Sequence, residues 1–369
     1  MNLTAGDRKS RLIDLITLLG VEGIGVGRLY QLLQTFPEPE RILAASVSEL
    51  SDAPGIGRET ASKIKEKQNR EKAVEAVEEI YKRNWRYFLY DDPDYPLPLK
   101  DVDDRPPVLF YMGEYCESDH NAIAIVGSRT ASEDGRHFAE SLAAALVASG
   151  VTVISGMARG IDMAAHRGVL KSGGRTIAVF GSSLDIIYPP EGRETAGKII
   201  QKGAIFSELL PGTIPYGPNF PKRNRIISGL SQGVVVIEAA ERSGALSTAG
   251  HALIQNREVF AVPGSPRSEM SRGTNKLIKQ GARLLTTVDD IFSELPRLKG
   301  KVKVEQMRKA EGLTGMEQLI VQSIADEPIH IDGLSRKLNT PIPDLMQVLL
   351  ALELKGIVKE LSGKRYILN

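Results

Sequence analysis

Between residues 122 and 286 the chain repeats one pattern seven times: a short, uninterrupted apolar run, usually followed by a stretch of helical spacing. The runs are AIAIVG (Ala122 to Gly127), VTVIS (Val151 to Ser155), TIAVFG (Thr176 to Gly181), AIFSE (Ala204 to Glu208), GVVVIEA (Gly233 to Ala239), EVFAVPG (Glu258 to Gly264) and ARLLT (Ala282 to Thr286). They do not alternate apolar with polar, so each strand must be covered on both faces. Parallel strands need a crossover on every return, and His137 to Ser149 and Met163 to Lys171 are spaced to supply helical ones. The pattern predicts an α/β fold whose core is a doubly wound, mostly parallel, Rossmann-like sheet.

The flanks follow other periods. Apolar residues at helical spacing run from Leu12 to Leu19 and from Leu29 to Phe36. GVEGIGVG (Gly20 to Gly27) separates them, and a second Gly-apolar-Gly turn, PGIG (Pro54 to Gly57), precedes a third amphipathic stretch. This weak internal repeat predicts a helical domain of tandem helix-hairpin-helix type over residues 1–82. Its glycines either bare backbone N–H groups for a phosphate or simply end the helices. Lys63, Lys65, Lys67 and Arg70 are interleaved with Glu59, Glu66 and Glu71, as on a solvated helix face. Tyr90 to Gly113 is rich in Pro and aromatics and reads as a connector ending in a short strand, Val108 to Met112, able to join a sheet edge. Connector and core together take residues 83–295. The charged stretch 296–312 reads as a linker. Over 313–369, helical patterns at Glu317 to Ala325, Ile331 to Leu338 and Pro343 to Lys355, then a Ser-Gly hairpin, predict a winged helix. Its third helix carries only Lys355 as a base, which suits a protein surface better than a DNA groove.

A formal net charge of +1 rules out a uniformly basic coat, so any nucleic-acid site must be a local cluster of Lys and Arg. One cysteine, Cys116, excludes an intrachain disulfide and a Cys-based zinc cluster, and the five histidines lack ligand spacing. No metal and no cofactor are expected. No run approaches the roughly 18 apolar residues of a membrane span, and no signal peptide is recognisable. The expected compartment is the cytoplasm, with no membrane partner.

Ligands of such sheets sit beyond the carboxyl ends of the strands. There the first run continues into GSRTASEDG (Gly127 to Gly135), which lacks G-x-G-x-x-G, and no G-x-x-x-x-G-K-[ST] occurs in the chain. Gly127, Ser128 and Arg129 instead combine backbone N–H groups, a hydroxyl and a guanidinium suited to a phosphate oxygen; a plain helix cap by Ser128 or Thr130 is the alternative. SGMARGID (Ser155 to Asp162) and GSSLDIIYPP (Gly181 to Pro190) put Ser155, Gly156 and further Gly-Ser turns at the same edge. GPNFPKRNRIISGLS (Gly217 to Ser231) carries Phe220, Lys222, Arg223, Asn224 and Arg225 with no acidic residue nearby in sequence. Such a basic segment neutralises phosphates without reading sequence, and an adjacent aromatic can stack on a base. Ser243 and Gly244 in RSGALSTAGHA, and Asn275 and Lys276 in RGTNKLI, start further helices, where they either meet an oxyanion or cap.

In this order, IVGSR, SGMARGID, GSSLDIIYPP, FPKRNRIISGLS, SGALSTA, AVPG and GTNKLI resemble the DprA (Smf) family of DNA-processing proteins. The resemblance extends to the hairpins before the core and the winged helix after it. It implies a protein that binds single-stranded DNA; from the residues themselves, no catalytic group is expected. It further implies a homodimer through the Rossmann-like core, protection of incoming strands in natural transformation, displacement of single-strand binding protein, and loading of a RecA-type recombinase. By motif, the family's pocket arginine falls on Arg129 and its basic-aromatic loop on Phe220, Lys222, Arg223 and Arg225, with Ser155 and Gly156 lining the same pocket. A Rossmann-like nucleotide-binding protein, or a nucleotide phosphoribohydrolase, is the alternative. The second needs a carboxylate beside its glycine-rich loop, and SGALSTAGHA contains none.

Overall fold

The computed structural model describes residues 5–298, 313, 315–324, 329–355, 357–361 and 363–368. The chain divides into two compact units, Met1–Glu294 and Leu295–Asn369.

In the first unit, six helices precede the sheet: Ala5–Leu19, Val26–Thr35, Pro39–Ala44, Val47–Ser51, Arg58–Ile64 and Lys67–Lys82. The last buries Ala73, Val77 and Ile80, a spacing of four and three that lines one face. Ser46 accepts the Glu49 amide while Glu49 accepts the Ser46 amide, a capping box that starts the fourth helix. Both glycine turns need their glycine: Gly23 has φ +93° and Gly55 φ +77°. Lys63 pairs with Glu22 and Glu59 at 2.9 and 2.8 Å. The helices bury Leu12, Leu29 and Ile80 in the same apolar cluster as Trp85, Phe110 and Ile205 of the sheet layer, so the two share a core.

The sheet has nine strands: β1 (Arg86–Leu89), β2 (Val108–Gly113), β3 (Ala122–Val126), β4 (Thr152–Ser155), β5 (Thr176–Val179), β6 (Ala204–Ser207), β7 (Gly233–Val236), β8 (Glu258–Ala261) and β9 (Arg283–Leu284). Their order is β1-β2-β6-β5-β4-β3-β7-β8-β9. From β6 to β9 every pair is parallel, and β1 and β2 add antiparallel at one side. All seven runs are strands. The Val108 segment does join the sheet, pairing Phe110 with Ser207, but it is not the edge. The edge is β1, which sequence reading left inside the connector; only four residues long and next to a Pro-rich stretch, it gives no periodic signal. Strands β3 to β7 are buried throughout.

In the second unit, helices Gly315–Ser323, Ile331–Leu338 and Ile342–Leu354 pack with β10 (Ile329–His330), β11 (Val358–Leu361) and β12 (Arg365–Leu368), paired in the order β10-β12-β11. This is a winged helix with its own core, including Leu334, Leu345, Leu349 and Tyr366. The linker expected over 296–312 falls mostly outside the described residues. Among those described, no helix is long and apolar enough to cross a membrane.

Candidate functional site

Strand order reverses at β3, which has β4 on one side and β7 on the other. Crossovers leave these neighbours toward opposite faces, so a crevice opens beyond their carboxyl ends. A cavity of about 730 Å³ fills it. The β3 end contributes Gly127, Ser128 and Arg129, and the turn after β7 contributes Arg242, Ser243 and Gly244. Phe220, Arg223 and Asn224 come from the helix Asn219–Gly229, and Asp162 from the helix Ile161–Lys171. Three guanidiniums (Arg129, Arg223, Arg242) face one carboxylate among these walls, giving an electropositive cavity.

Each wall is fixed by local chemistry. The Ser128 amide donates to the Glu238 carbonyl at 2.7 Å, and its hydroxyl accepts the Thr130 amide at 3.1 Å. Gly160, at φ +76°, lets the β4 loop close against the carbonyl of Ser128, where a Cβ would collide. Ser243 caps the helix Gly244–Ile254, accepting the Ala245 amide at 3.3 Å, while still lining the cavity. Arg129 is exposed, and its guanidinium lies 5.0 Å from the Phe220 ring centroid. Among the described residues neither Arg129 nor Arg242 has an ion-pair partner, which leaves both charges available to an anion.

Arg223 is different. It is 4% exposed, and Nη1 donates to the carbonyls of Gly156 (2.7 Å) and Val179. Burial pulls its guanidinium down to about 10, still protonated at neutral pH, with Asp162 acting the other way. Burial likewise holds the Asp162 carboxyl above its usual range, opposed by Arg223 and by the amides of Ala158 and Gly156. Arg223 and Asp162 are thus two buried groups of the cavity wall that influence each other electrostatically.

The predicted basic loop is corrected on three counts. It is a helix, Asn219–Gly229, so its cations diverge around an axis. Arg225 is buried away from the cavity, pairing with Glu208 at 2.5 Å and Asp104 at 3.3 Å, acidic groups distant in sequence that the fold brings to it. Lys222 is exposed and does not line the cavity. Ser155 and Gly156 do not line it either. The Ser155 hydroxyl donates to the Ile125 carbonyl at 2.6 Å, and Gly156 is glycine because a Cβ would meet the Arg223 guanidinium. Lys276 is exposed on the helix Glu269–Lys279, outside the lining; its neighbour Asn275 is spent on both backbone groups of Gly264. The cavity does bring together Gly127, Ser128, Arg129, Phe220, Arg223, Asn224, Ser243 and Gly244. Sequence reading missed Arg242, Asp162 and Tyr188. All three lie inside motifs named from the sequence, RSGALSTAGHA, SGMARGID and GSSLDIIYPP, and for the first two a charge at a strand's carboxyl end was the signal available.

Comparison with known proteins places this geometry in a family. A model described as "DNA recombination-mediator protein A" matches residues 86–296, "DprA winged helix domain" matches 304–364, and "SAM-like Helix-hairpin-helix tandem" matches 15–67. Protein Smf of Synechocystis is 34% identical over 94% of this chain and 96% of its own length. DNA processing protein DprA of Bacillus subtilis is 43% identical over 55% of this chain and 68% of its own. The X-ray structure of DNA processing protein A from Streptococcus pneumoniae superposes with a TM-score of 0.66 at 31% identity, covering 80% of this chain and 99% of that one. DNA processing protein A from Helicobacter pylori, described for its single-stranded DNA binding mode, superposes with a TM-score of 0.52 at 27% identity, over 58% and 96% of the two chains.

Proposed function

The chain belongs to the DNA recombination-mediator protein A family, and on that premise we propose that it binds single-stranded DNA through phosphates in the β3–β7 cavity. The observation that carries this is the meeting of Arg129, Arg242 and the helix Asn219–Gly229 at one switch-point cavity, with two guanidiniums free of ion pairs among the described residues. Strand ends and helix starts around it offer amides and hydroxyls, which meet phosphate oxygens without reading sequence. The single-stranded DNA binding mode named for the Helicobacter pylori relative supports the same ligand. From the resemblance, the bound strand is handed to a RecA-type recombinase in DNA uptake, with displacement of single-strand binding protein and a homodimer through the core as parts of the same cytoplasmic task.

No turnover belongs to this reading. Two carboxylates near the strand ends are committed: Glu208 to Arg225, and Glu238 to the Ser132 amide and hydroxyl at 2.9 and 2.5 Å. Asp162 lies in the cavity wall, but one carboxylate oxygen already accepts the Gly156 amide at 3.1 Å and the Ala158 amide at 3.3 Å. Free-base release from a panel of mononucleotides would revive the phosphoribohydrolase alternative.

Anisotropy titrations of a labelled oligonucleotide against salt test the proposal. The log-log slope should be about −0.7 per neutralised phosphate. Arg129→Ala should weaken binding and flatten that slope by about 0.7. Unchanged affinity and slope in an Arg129→Ala, Arg242→Ala double variant would remove the cavity from DNA binding.

A further inference from the structure

The third helix of the winged helix, Ile342–Leu354, carries two apolar rows. One row, Leu345, Leu349 and Leu352, is buried in the core of its own unit. The other, Ile342, Met346, Leu350 and Leu354, is 36%, 44%, 58% and 83% exposed. Apolar side chains aligned at every fourth position and left in water mark a contact surface.

Charge argues against a duplex as the occupant. At 3.6 residues per turn, Pro343 and Glu353 share the arc of the exposed row, while Asp344 and Lys355 fall on the far side of the helix. Lys355 is also tied to Glu317 at 2.6 Å. Glu353 is thus the one charge within the arc, and an apolar face with a carboxylate does not neutralise phosphates.

Spacing argues for a second copy of the chain. Residues four apart form a ridge, and two such ridges interlock when helices cross at about −50°. Four members at equal spacing read the same in both directions. A two-fold axis through the middle of the row sets Met346 against Leu350 of a second copy, with Ile342 and Leu354 meeting outside them. The same axis carries Glu353 toward residue 343 of the second copy, in the first turn of its helix. That helix start has Pro341 at its N-cap position and no side-chain cap, and its one acidic first-turn residue, Asp344, lies on the far side. A carboxylate brought to this positive end is stabilising.

We propose that two chains pair through their winged helices, the Ile342–Leu354 helices crossing antiparallel along the row Ile342, Met346, Leu350 and Leu354. This surface is separate from the cavity and from the core through which the resemblance implies a homodimer.

Sedimentation velocity of the full chain over a concentration series tests the pairing. Wild type should gain mass with concentration. Leu350→Lys should move that association to about a hundredfold higher concentration, because each dyad loses two leucine contacts. Met346→Glu should act in the same direction. An equimolar mixture of the two variants should recover association, since the new lysine of one chain then faces the new glutamate of the other. Both positions are exposed, so each variant should keep the circular dichroism of wild type. If the core also pairs chains, the same difference appears above the dimer instead of above the monomer. Equal masses for wild type and Leu350→Lys at every concentration overturn the proposal and leave the row to a different protein. A mixture as dissociated as its two components overturns it as well.

Discussion

Arg223→Met should cost stability before it reports anything about a ligand, whereas Arg129→Ala should do the reverse. The Arg223 guanidinium is 4% exposed, donates to two backbone carbonyls and faces Asp162, itself 5% exposed. Methionine keeps most of the stem but strips the charge, removing the nearby cation that favours the ionised form of Asp162. Losing the donor to the Gly156 and Val179 carbonyls, at about 1–3 kcal/mol each, together with the attraction to Asp162, costs about 3–5 kcal/mol. With about 2.1 cal/mol/K of unfolding entropy per residue, the unit Met1–Glu294 should then melt on the order of 5–8 °C lower. The deficit should depend on pH. Loss of Arg223 raises the Asp162 carboxyl further above its unfolded value of about 3.9, so the folded variant holds a proton that the unfolded chain releases. Its deficit relative to wild type is therefore fully developed above the folded value and shrinks as pH falls toward the unfolded one. Adding Asp162→Asn should recover the part of the loss that comes from Asp162. Calorimetry of the first unit's transition at pH 5 and pH 8 checks each step. Arg129→Ala, which gives up only an exposed ring contact worth about 0.5–1 kcal/mol, should melt within about 2 °C of wild type while losing affinity. Equal melting of Arg223→Met and wild type, or a double variant no more stable than the single, would refute this argument from burial.

Arg225→Met should lower stability by about 1–3 kcal/mol, less than a fully buried pair because Asp104 is half exposed, and leave the salt slope of strand binding intact; a flattened slope would return Arg225 to the site. Gly160→Ala should impair binding as well as stability. Its φ of +76° and the Ser128 carbonyl at its Cβ position force the Gly127–Arg129 turn to move, and unchanged binding would mean that this turn does not touch the ligand. His166 is fully buried; burial, then Arg223, lowers it to about 3. The folded state thus refuses a proton that the unfolded chain accepts, so its contribution is lost as pH falls from about 6.5 toward about 3. His166→Asn should show a flatter urea midpoint over that window, and parallel pH curves for variant and wild type would count against it.

The fold could be read because its signals are local. Seven continuous apolar runs report burial on both faces, and β3 to β7 are buried at every position. The glycine turns could be read for the same reason, since positive φ at Gly23 and Gly55 is a demand made on single residues. β1 was hidden because its stability comes from cross-strand partners such as Phe110 opposite Tyr87, which no local pattern encodes.

The site divides along the same line. A cation's residue type says that it can meet a phosphate, but its availability depends on what the fold sets against it. Arg223, Lys222 and Arg225 read as one cluster over four residues, and helical geometry then gives them three different fates: buried hydrogen bonds to backbone carbonyls, open solvent and an ion pair. The acidic groups that claim Arg225 come from β6's end and the Pro-rich connector, 17 and 121 residues away, so "no acidic residue nearby" held in sequence and failed in space. Arg129 escaped this because its turn projects from the switch point, where neighbouring crossovers part and the one carboxylate in the cavity wall, Asp162, is buried and held by the amides of Gly156 and Ala158. The same argument explains why Arg242, in the turn after the adjacent strand, has no ion-pair partner among the described residues either. Position at the reversal of strand order, more than local charge density, decides which cations remain for a ligand.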